Sequence, residues 1–198
     1  MYSVLKRGID FIVSIVMLIF VLPLLGLAAL LIILSINEFP FFTQVRTGFK
    51  CTPFKVFKLK TMKRAKEGMD NSDQYRIFKM GSILRKLSID ELPQLLNIVL
   101  GQMSFVGPRP LMHEYLNLYS DHQLTRFRVK PGVTGLAQVK GRNSLKWSQK
   151  FKYDVFYVEK VNFCLDLKIL LLTVKKVFNF GEVNTSGTVT AEKFDGTN

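Results

Sequence analysis

The chain has 198 residues, with 28 Lys and Arg against 15 Asp and Glu, for a formal net charge of +13. That length allows one soluble domain of ordinary size beside a membrane segment, and the positive excess favours anionic lipid, phosphorylated small molecules or nucleic acid as partners. Two cysteines, Cys51 and Cys164, stand far apart without metal-type spacing, which argues against a disulfide framework and for a reducing cytoplasm.

From Phe11 to Asn37 no residue carries a charge, and Pro23 falls near the middle of the run. About 20 apolar residues suffice to cross a bilayer, and the run is too long, and lacks the small-residue site, for a cleaved signal peptide. Basic residues flank it on both sides: Lys6 and Arg7 before, Arg46, Lys50, Lys55 and Lys58 after. Short basic flanks tend to stay in the cytoplasm. A straight span would export one of them. A helix that dips in, turns at Pro23 and returns would keep both on one side, because proline removes a backbone donor and crowds the carbonyl four residues earlier. A kinked span and a re-entrant hairpin both fit these residues, and Gly26 adds a little weight to a break.

Residues 39–62 mix aromatics with lysines, as in Phe54, Val56 and Leu59 interleaved with Lys55, Lys58 and Lys60, and predict short extended segments at an interface. Residues 63–80 are polar and read as loop with a helical piece. A helix is predicted from about Asp90 to Leu100, stopped by Gly101. A Gly/Pro loop covers 101–111, and a helical stretch His113 to Phe127. Residues 130–143 are glycine-punctuated and predict turns with at most short strands.

Two later segments are amphipathic. Trp147, Phe151, Val155 and Val158 share one helical face, with Lys146, Lys150 and Tyr157 on another; Leu165, Ile169 and Leu172 oppose Lys168, Lys175 and Lys176. Such helices either lie in the headgroup region or turn their apolar face to an ordinary core. The tail, 181–198, is small and polar and is expected to be mobile unless a ligand orders it.

The chemistry concentrates at Ser88-Ile89-Asp90-Glu91-Leu92-Pro93-Gln94. Pro93 is comfortable only in a first helical turn, which puts the helix start near Asp90 and both acids at its positive end. Acids there are ordinary, worth at most about 1 kcal/mol. Neighbouring residues on a helix face different ways, however, so Asp90 and Glu91 would meet different partners: one as a nucleophile, one handling a proton or a metal. Gly107-Pro108-Arg109-Pro110 then pins an arginine whose planar fork suits phosphate oxygens. His113 and His122 belong to no motif and are given no catalytic role.

Leu87 to Leu111, LSIDELPQLLNIVLGQMSFVGPRPL, and Lys130 to Asn143, KPGVTGLAQVKGRN, resemble the bacterial sugar transferase family. More narrowly, they resemble the small monotopic polyprenyl-phosphate phosphoglycosyl transferases that begin glycan assembly on undecaprenyl phosphate. The resemblance runs from LKRGIDF (Leu5 to Phe11) through FFTQVRTG (Phe41 to Gly48), FKVFKLKTM (Phe54 to Met62) and KFKYDVFY (Lys150 to Tyr157) to TAEKFDGTN at the end. It departs at Leu22, where many relatives have serine before the breaking proline, and at Lys60 and Lys140, where some have arginine and asparagine.

The resemblance implies a mostly α fold with short β and turn segments, in a monotopic membrane protein with a re-entrant, Pro23-broken helix and interfacial helices. Its parts would be a membrane helix-break-helix over 1–38, a catalytic domain over 39–180 and a polar tail over 181–198. It implies transfer of a phosphosugar from a UDP-sugar to polyprenyl phosphate with release of UMP, at the cytoplasmic face of a bacterial inner membrane. Asp90 would be the covalent nucleophile, and Glu91 the adjacent acid that helps hold Mg²⁺ and relays a proton. Arg109 would bind phosphate, and Lys58, Lys60, Arg85 and Arg142 are further phosphate candidates; Asp154 would be a structural partner for one of them. Anionic lipids surround such an enzyme, and later glycosyltransferases would take up its product.

Two other classes fit parts of the pattern. A non-catalytic membrane scaffold for glycan assembly would most easily lose one of the acids, and this chain keeps both. A phosphate-ester hydrolase using Asp90 would release free sugar phosphate, with no dependence on a lipid acceptor. Nucleic-acid binding is disfavoured, since no recognised fold signature accompanies the charge.

Overall fold

The structure, a computed structural model, describes residues 2–64, 73–141, 144–178 and 193–196. Helix α1, Tyr2–Ile36, is long and apolar enough to cross a membrane. Its backbone stays helical through Pro23, so the expected break is not an unwound segment. What Pro23 removes is one donor to the Ile19 carbonyl, a perturbation that a helix absorbs by bending.

One stripe of α1 faces protein along its whole length. Asp10, Ser14, Leu25, Ala28 and Ile32 are buried, and Leu18 and Val21 pack between them; the spacing of three and four is that of a single helical face. The remaining faces expose apolar side chains such as Ile12, Phe20, Leu22 and Leu34. Polar anchors fix the first turns. Lys6 pairs with Asp166, Arg7 donates to the carbonyls of Ile98 and Val99, and the Phe105 amide lies 3.5 Å from Asp10. Arg7 thereby satisfies carbonyls left over at a helix C-terminus.

The extended segments predicted after α1 form an antiparallel hairpin, β1 (Phe41–Thr47) with β2 (Pro53–Leu59), in which Phe42 faces Lys58, Gln44 faces Val56 and Arg46 faces Phe54. Alternation along β2 buries Phe54 and Val56. The polar stretch that follows holds the short α2, Asp73–Arg76, and then α3, Lys79–Lys86.

The helix expected over Asp90–Leu100 is shorter. Ile89–Glu91 is a separate 3₁₀ turn, Pro93 is the N-cap, and α4 spans Gln94–Val99. Pro93 needs no amide donor there, and its ring would obstruct a helix started a turn earlier. Gly101 follows at φ +79°, the left-handed stop expected of it.

Strand β3, Ser104–Val106, pairs in parallel with β4, Gly132–Thr134. Between them the predicted long helix is three short pieces: 3₁₀ turns at His113–Leu118 and Thr125–Arg128 flanking α5, Asp121–Leu124. Residues 130–143 hold β4 and also α6, Leu136–Lys140, a helix that the glycines concealed.

The two amphipathic segments part company. In α7, Trp147–Lys160, the apolar face is not interfacial: Trp147, Phe151 and Val155 are buried in the protein. Tyr157, expected on the lysine face, is also buried and donates toward Asp166 and the Val106 carbonyl. In α8, Phe163–Phe178, Ile169 is buried but Phe163, Leu167, Leu171 and Val174 are exposed.

Four apolar clusters hold these elements together. Leu25, Ala28 and Ile32 meet Leu59, Phe78 and Leu84; Leu18 and Val21 meet Phe54, Val56, Leu95 and Ile98. Val106, Leu136, Tyr157 and Ile169 form the third, and Tyr119, Phe127, Trp147, Phe151 and Phe194 the fourth. Fully buried members such as Ile32 and Ile98 each contribute about 1.5–3 kcal/mol. Of the tail, only 193–196 is described, and there Phe194 is in the core rather than free in solvent.

Candidate active site

The site forms where β2, the 3₁₀ turn and the loop after β3 converge. Ser88, at φ 56°, turns the chain left-handed between α3 and the acids, a conformation that non-glycine residues adopt at a cost and that concentrates at functional sites. The turn buries Asp90 and leaves Glu91 half-buried. Asn97 of α4 fixes their distance from β2: its side chain accepts from the Phe57 amide at 3.0 Å and donates to the Lys55 carbonyl at 2.7 Å.

Glu91 Oε1 accepts from Lys58 Nζ at 2.8 Å and from Arg109 Nη2 at 2.7 Å. Burial alone would raise the Glu91 pKa, but Arg109 and Lys58 together hold it far below the usual carboxylate range. Glu91 is therefore a fixed anion. Burial likewise lowers the Lys58 pKa, against the pull of Glu91, while Glu91 raises that of Arg109.

Asp90 behaves oppositely. Burial, with the negative charge of Glu91 behind it, pushes its pKa up to about 6, opposed by Lys58, Arg85 and Arg109. Two adjacent carboxylates with pKa values driven apart are a recurrent mark of divided chemical roles. At neutral pH Asp90 is ionised, yet more basic than an ordinary aspartate.

The loop that carries Arg109 is seated on backbone. Gly107 lies so close to residues 130–132 that a Cβ there would sit 2.4 Å from the Lys130 carbonyl oxygen. Its amide donates to the Thr134 carbonyl, and the Pro108 carbonyl accepts from the Gly132 amide. Arg126 closes the loop from beneath, donating from Nη2 to the Arg109 carbonyl at 2.7 Å and to Asp154 at 2.8 Å. Asp154 thus partners Arg126, and none of the phosphate candidates among the described residues.

Those candidates divide. Lys58 and Arg109 reach Glu91; Arg85 donates from Nε to Thr61 Oγ1 and is close enough to act on Asp90. Lys60 instead pairs with Glu38 at 3.0 Å, just past the end of α1. Arg142 lies outside the described residues. Arg46, assigned nothing from sequence, belongs to the cluster: burial lowers its pKa to about 10, and the next influence is the repulsion of Arg109. The signal was present in the hairpin register, which puts Arg46 and Lys58 on one face. Four cations, Arg46, Lys58, Arg85 and Arg109, thus outnumber the paired carboxylates Asp90 and Glu91, with Glu114 acting on Arg46 as well.

A family model described as bacterial sugar transferase matches residues 1–180. The chain belongs to the bacterial sugar transferase family. It is 45% identical over 195 residues to the uncharacterized sugar transferase EpsL of Bacillus subtilis, covering 98% of this chain and 96% of EpsL. It is 35% identical to the exopolysaccharide production protein ExoY of Rhizobium meliloti, covering 87% of this chain and 84% of ExoY. It is 40% identical to the UDP-glucose:undecaprenyl-phosphate glucose-1-phosphate transferase of Klebsiella pneumoniae, covering 88% of this chain but 40% of that enzyme.

Among the described residues no group of three or more His, Cys, Asp and Glu could hold a metal ion. A pair of acids nevertheless fits Mg²⁺, which is commonly bound through one or two carboxylates together with substrate phosphates.

Proposed function

We propose that the protein transfers a phosphosugar from a UDP-sugar to polyprenyl phosphate, giving polyprenyl-diphosphate-sugar and UMP. The observation that carries this reading is the opposed pair: Asp90, buried with its pKa raised, beside Glu91, which accepts from Lys58 and Arg109. Asp90 supplies the nucleophile. One of its oxygens attacks the phosphorus that bears the sugar, and the bond from that phosphorus to UMP breaks. An oxygen of polyprenyl phosphate then attacks the same phosphorus and expels the Asp90 carboxylate. A carboxylate nucleophile divides one difficult displacement into two easier ones.

Positive charge must be in place before an anion can approach a diphosphate. Lys58 and Arg109 are held by Glu91 within reach of Asp90 and exchange part of that contact for phosphate oxygens when substrate enters. Arg46 and Arg85 widen the field. Asp90 and Glu91 are the residues that would hold Mg²⁺, which would supply further neutralisation of phosphate charge. Glu91 is thus a tether for cations first; the expected proton relay requires Lys58 and Arg109 to leave it.

The setting we propose is the cytoplasmic face of a bacterial inner membrane, with α1 entering one leaflet and returning. In support, Lys6 and Arg7 at one end of α1 and Ile32 and Glu38 at the other contact the same body of protein. The exposed apolar row of α8 suits the interfacial position expected for it.

The test is UMP release by purified protein with Mg²⁺, undecaprenyl phosphate and a panel of UDP-sugars, beside Asp90→Asn. Multiple-turnover UMP release that depends on the lipid, with at most one equivalent of UMP released without it and none in the variant, is the expected result. Full activity in Asp90→Asn would overturn the mechanism, and acceptor-independent release of sugar phosphate would identify a hydrolase instead.

A further inference from the structure

Phe194 stands far from the acids in sequence and touches none of them. Its side chain is 3% exposed. It meets four aromatic rings: Phe151 with centroids 5.0 Å apart, Trp147 at 5.4 Å, Tyr119 at 5.6 Å and Tyr115 at 5.8 Å. With Tyr119 it is stacked; with Phe151 and Tyr115 it is edge-on. These are favourable aromatic geometries, and they make this ring part of the wall of the fourth cluster.

The same wall carries a cation. The Arg126 guanidinium lies 5.8 Å from the Tyr119 ring centre, 5.6 Å from Phe151 and 5.4 Å from Phe127. Arg126 is 2% exposed, and its polar contacts are Asp154, the Tyr119 hydroxyl at 3.4 Å and the Arg109 carbonyl. Two of the three rings against Arg126 are therefore rings against Phe194. A buried guanidinium stacked in this way has little freedom, and it holds the peptide of Arg109 directly.

We propose that Phe194 is a positioning residue for the Arg109 loop, acting through Tyr119, Phe151 and Arg126. The C-terminal residues thus contribute to the phosphate site without entering it. Removing the ring opens space beside Tyr119 and Phe151, Arg126 follows them, and the Arg109 carbonyl loses its fixed donor. Arg109 then samples positions off Glu91 and off the phosphate. The catalytic part of this inference rests on the transferase reading; the structural part does not.

The experiment uses the full chain, purified in lipid nanodiscs, as wild type, Phe194→Ala and Phe194→Leu. Hydrogen exchange is followed in peptides covering 105–113, which contain the amides of Gly107, Arg109 and Leu111, and in peptides covering α4. Phe194→Ala is expected to speed exchange in 105–113 about tenfold while leaving α4 unchanged, and Phe194→Leu to restore most of the protection. Exchange in 105–113 equal to wild type would overturn the proposal, as would equal acceleration in α4, which would mean general loosening.

Turnover supplies the second readout. Phe194→Ala is expected to lower kcat by about tenfold or more, and to lower it no further in an Arg109→Ala background. Full multiplication of the two losses would also overturn the proposal. Exchange needs no turnover, so a wild type inactive with every UDP-sugar would count against the transferase reading alone.

Discussion

Arg109 and Glu91 lie 18 residues apart in the chain and meet at 2.7 Å, with the arginine 46% exposed and the glutamate 20%. Only the arginine end of this pair is open to solvent, and screening there limits what the pair adds to stability. On the proposed function its geometry keeps the arginine ready for a phosphate.

Arg109→Lys keeps the charge and loses the planar fork, and Arg109→Ala loses both. Lysine cannot reproduce bidentate contact with phosphate, so we expect UMP release to fall about tenfold to hundredfold in the lysine variant and about hundredfold to thousandfold in alanine. Melting temperature should change little in either. Lysine activity equal to wild type would mean that the fork is not used.

Asp90 gives a pH prediction with a definite sign. Its pKa in the folded protein, about 6, is raised above the ordinary value. The folded state therefore binds the proton more tightly than the unfolded state, and ionising Asp90 costs stability. That contribution to stability is fully present below pH 4, is lost as pH rises through about 6, and amounts to at most about 3 kcal/mol. Asp90→Asn should therefore melt higher than wild type at pH 7.5, with the gap closing by pH 4. On the proposed mechanism transfer needs the ionised form, so UMP release should fall below about pH 6. An Asp90→Asn protein less stable than wild type at pH 7.5 would contradict the burial cost assigned to Asp90.

The chain announced much of this site. Uncharged residues from Phe11 to Asn37 marked α1, alternation marked the β hairpin, and Gly101 marked the end of α4. Acids at a helix start and an arginine between prolines are ordinary by themselves; Asp90, Glu91 and Arg109 stood out only because the motifs around them resemble the family. Local signals failed where distant contacts decide. Glu91 selects Lys58 from 33 residues away, and Arg126 pairs with Asp154 across 28. Lys60 looked equivalent to Lys58, yet the end of α1 presents Glu38 to it. The apolar face of α7 was readable, but not its partner, since a membrane and an aromatic core ask for the same pattern.

Asp154 and Arg126 form a buried pair, 6% and 2% exposed at their side chains. Asp154→Asn strands the guanidinium without its counter-charge, and breaking such a pair typically costs about 3–5 kcal/mol. Replacing both with apolar residues, as in Arg126→Met with Asp154→Leu, removes the stranded charge and should recover much of that stability. It should not recover activity, because the Arg109 carbonyl still lacks its donor. Thermal melts and UMP release on the three proteins separate the two effects; a fully active double variant would show that the Arg109 peptide needs no clamp.

The two ends of α1 make the membrane reading testable. A span that carried Lys6 and Arg7 to the far side would pull them from Asp166 and from the carbonyls of Ile98 and Val99. It would also strip Leu18 and Val21 from the core cluster around Phe54 and Ile98. Ser3, before the uncharged run, and Asn37, its last residue, are both exposed. With Cys51 and Cys164 replaced by serine, single cysteines at Ser3 and at Asn37 should react with an impermeant maleimide from the same side of sealed inverted vesicles. Neither should react from the outside of intact spheroplasts. Labelling from opposite sides would establish a crossing helix, and the contacts of Lys6 and Arg7 would then need another account.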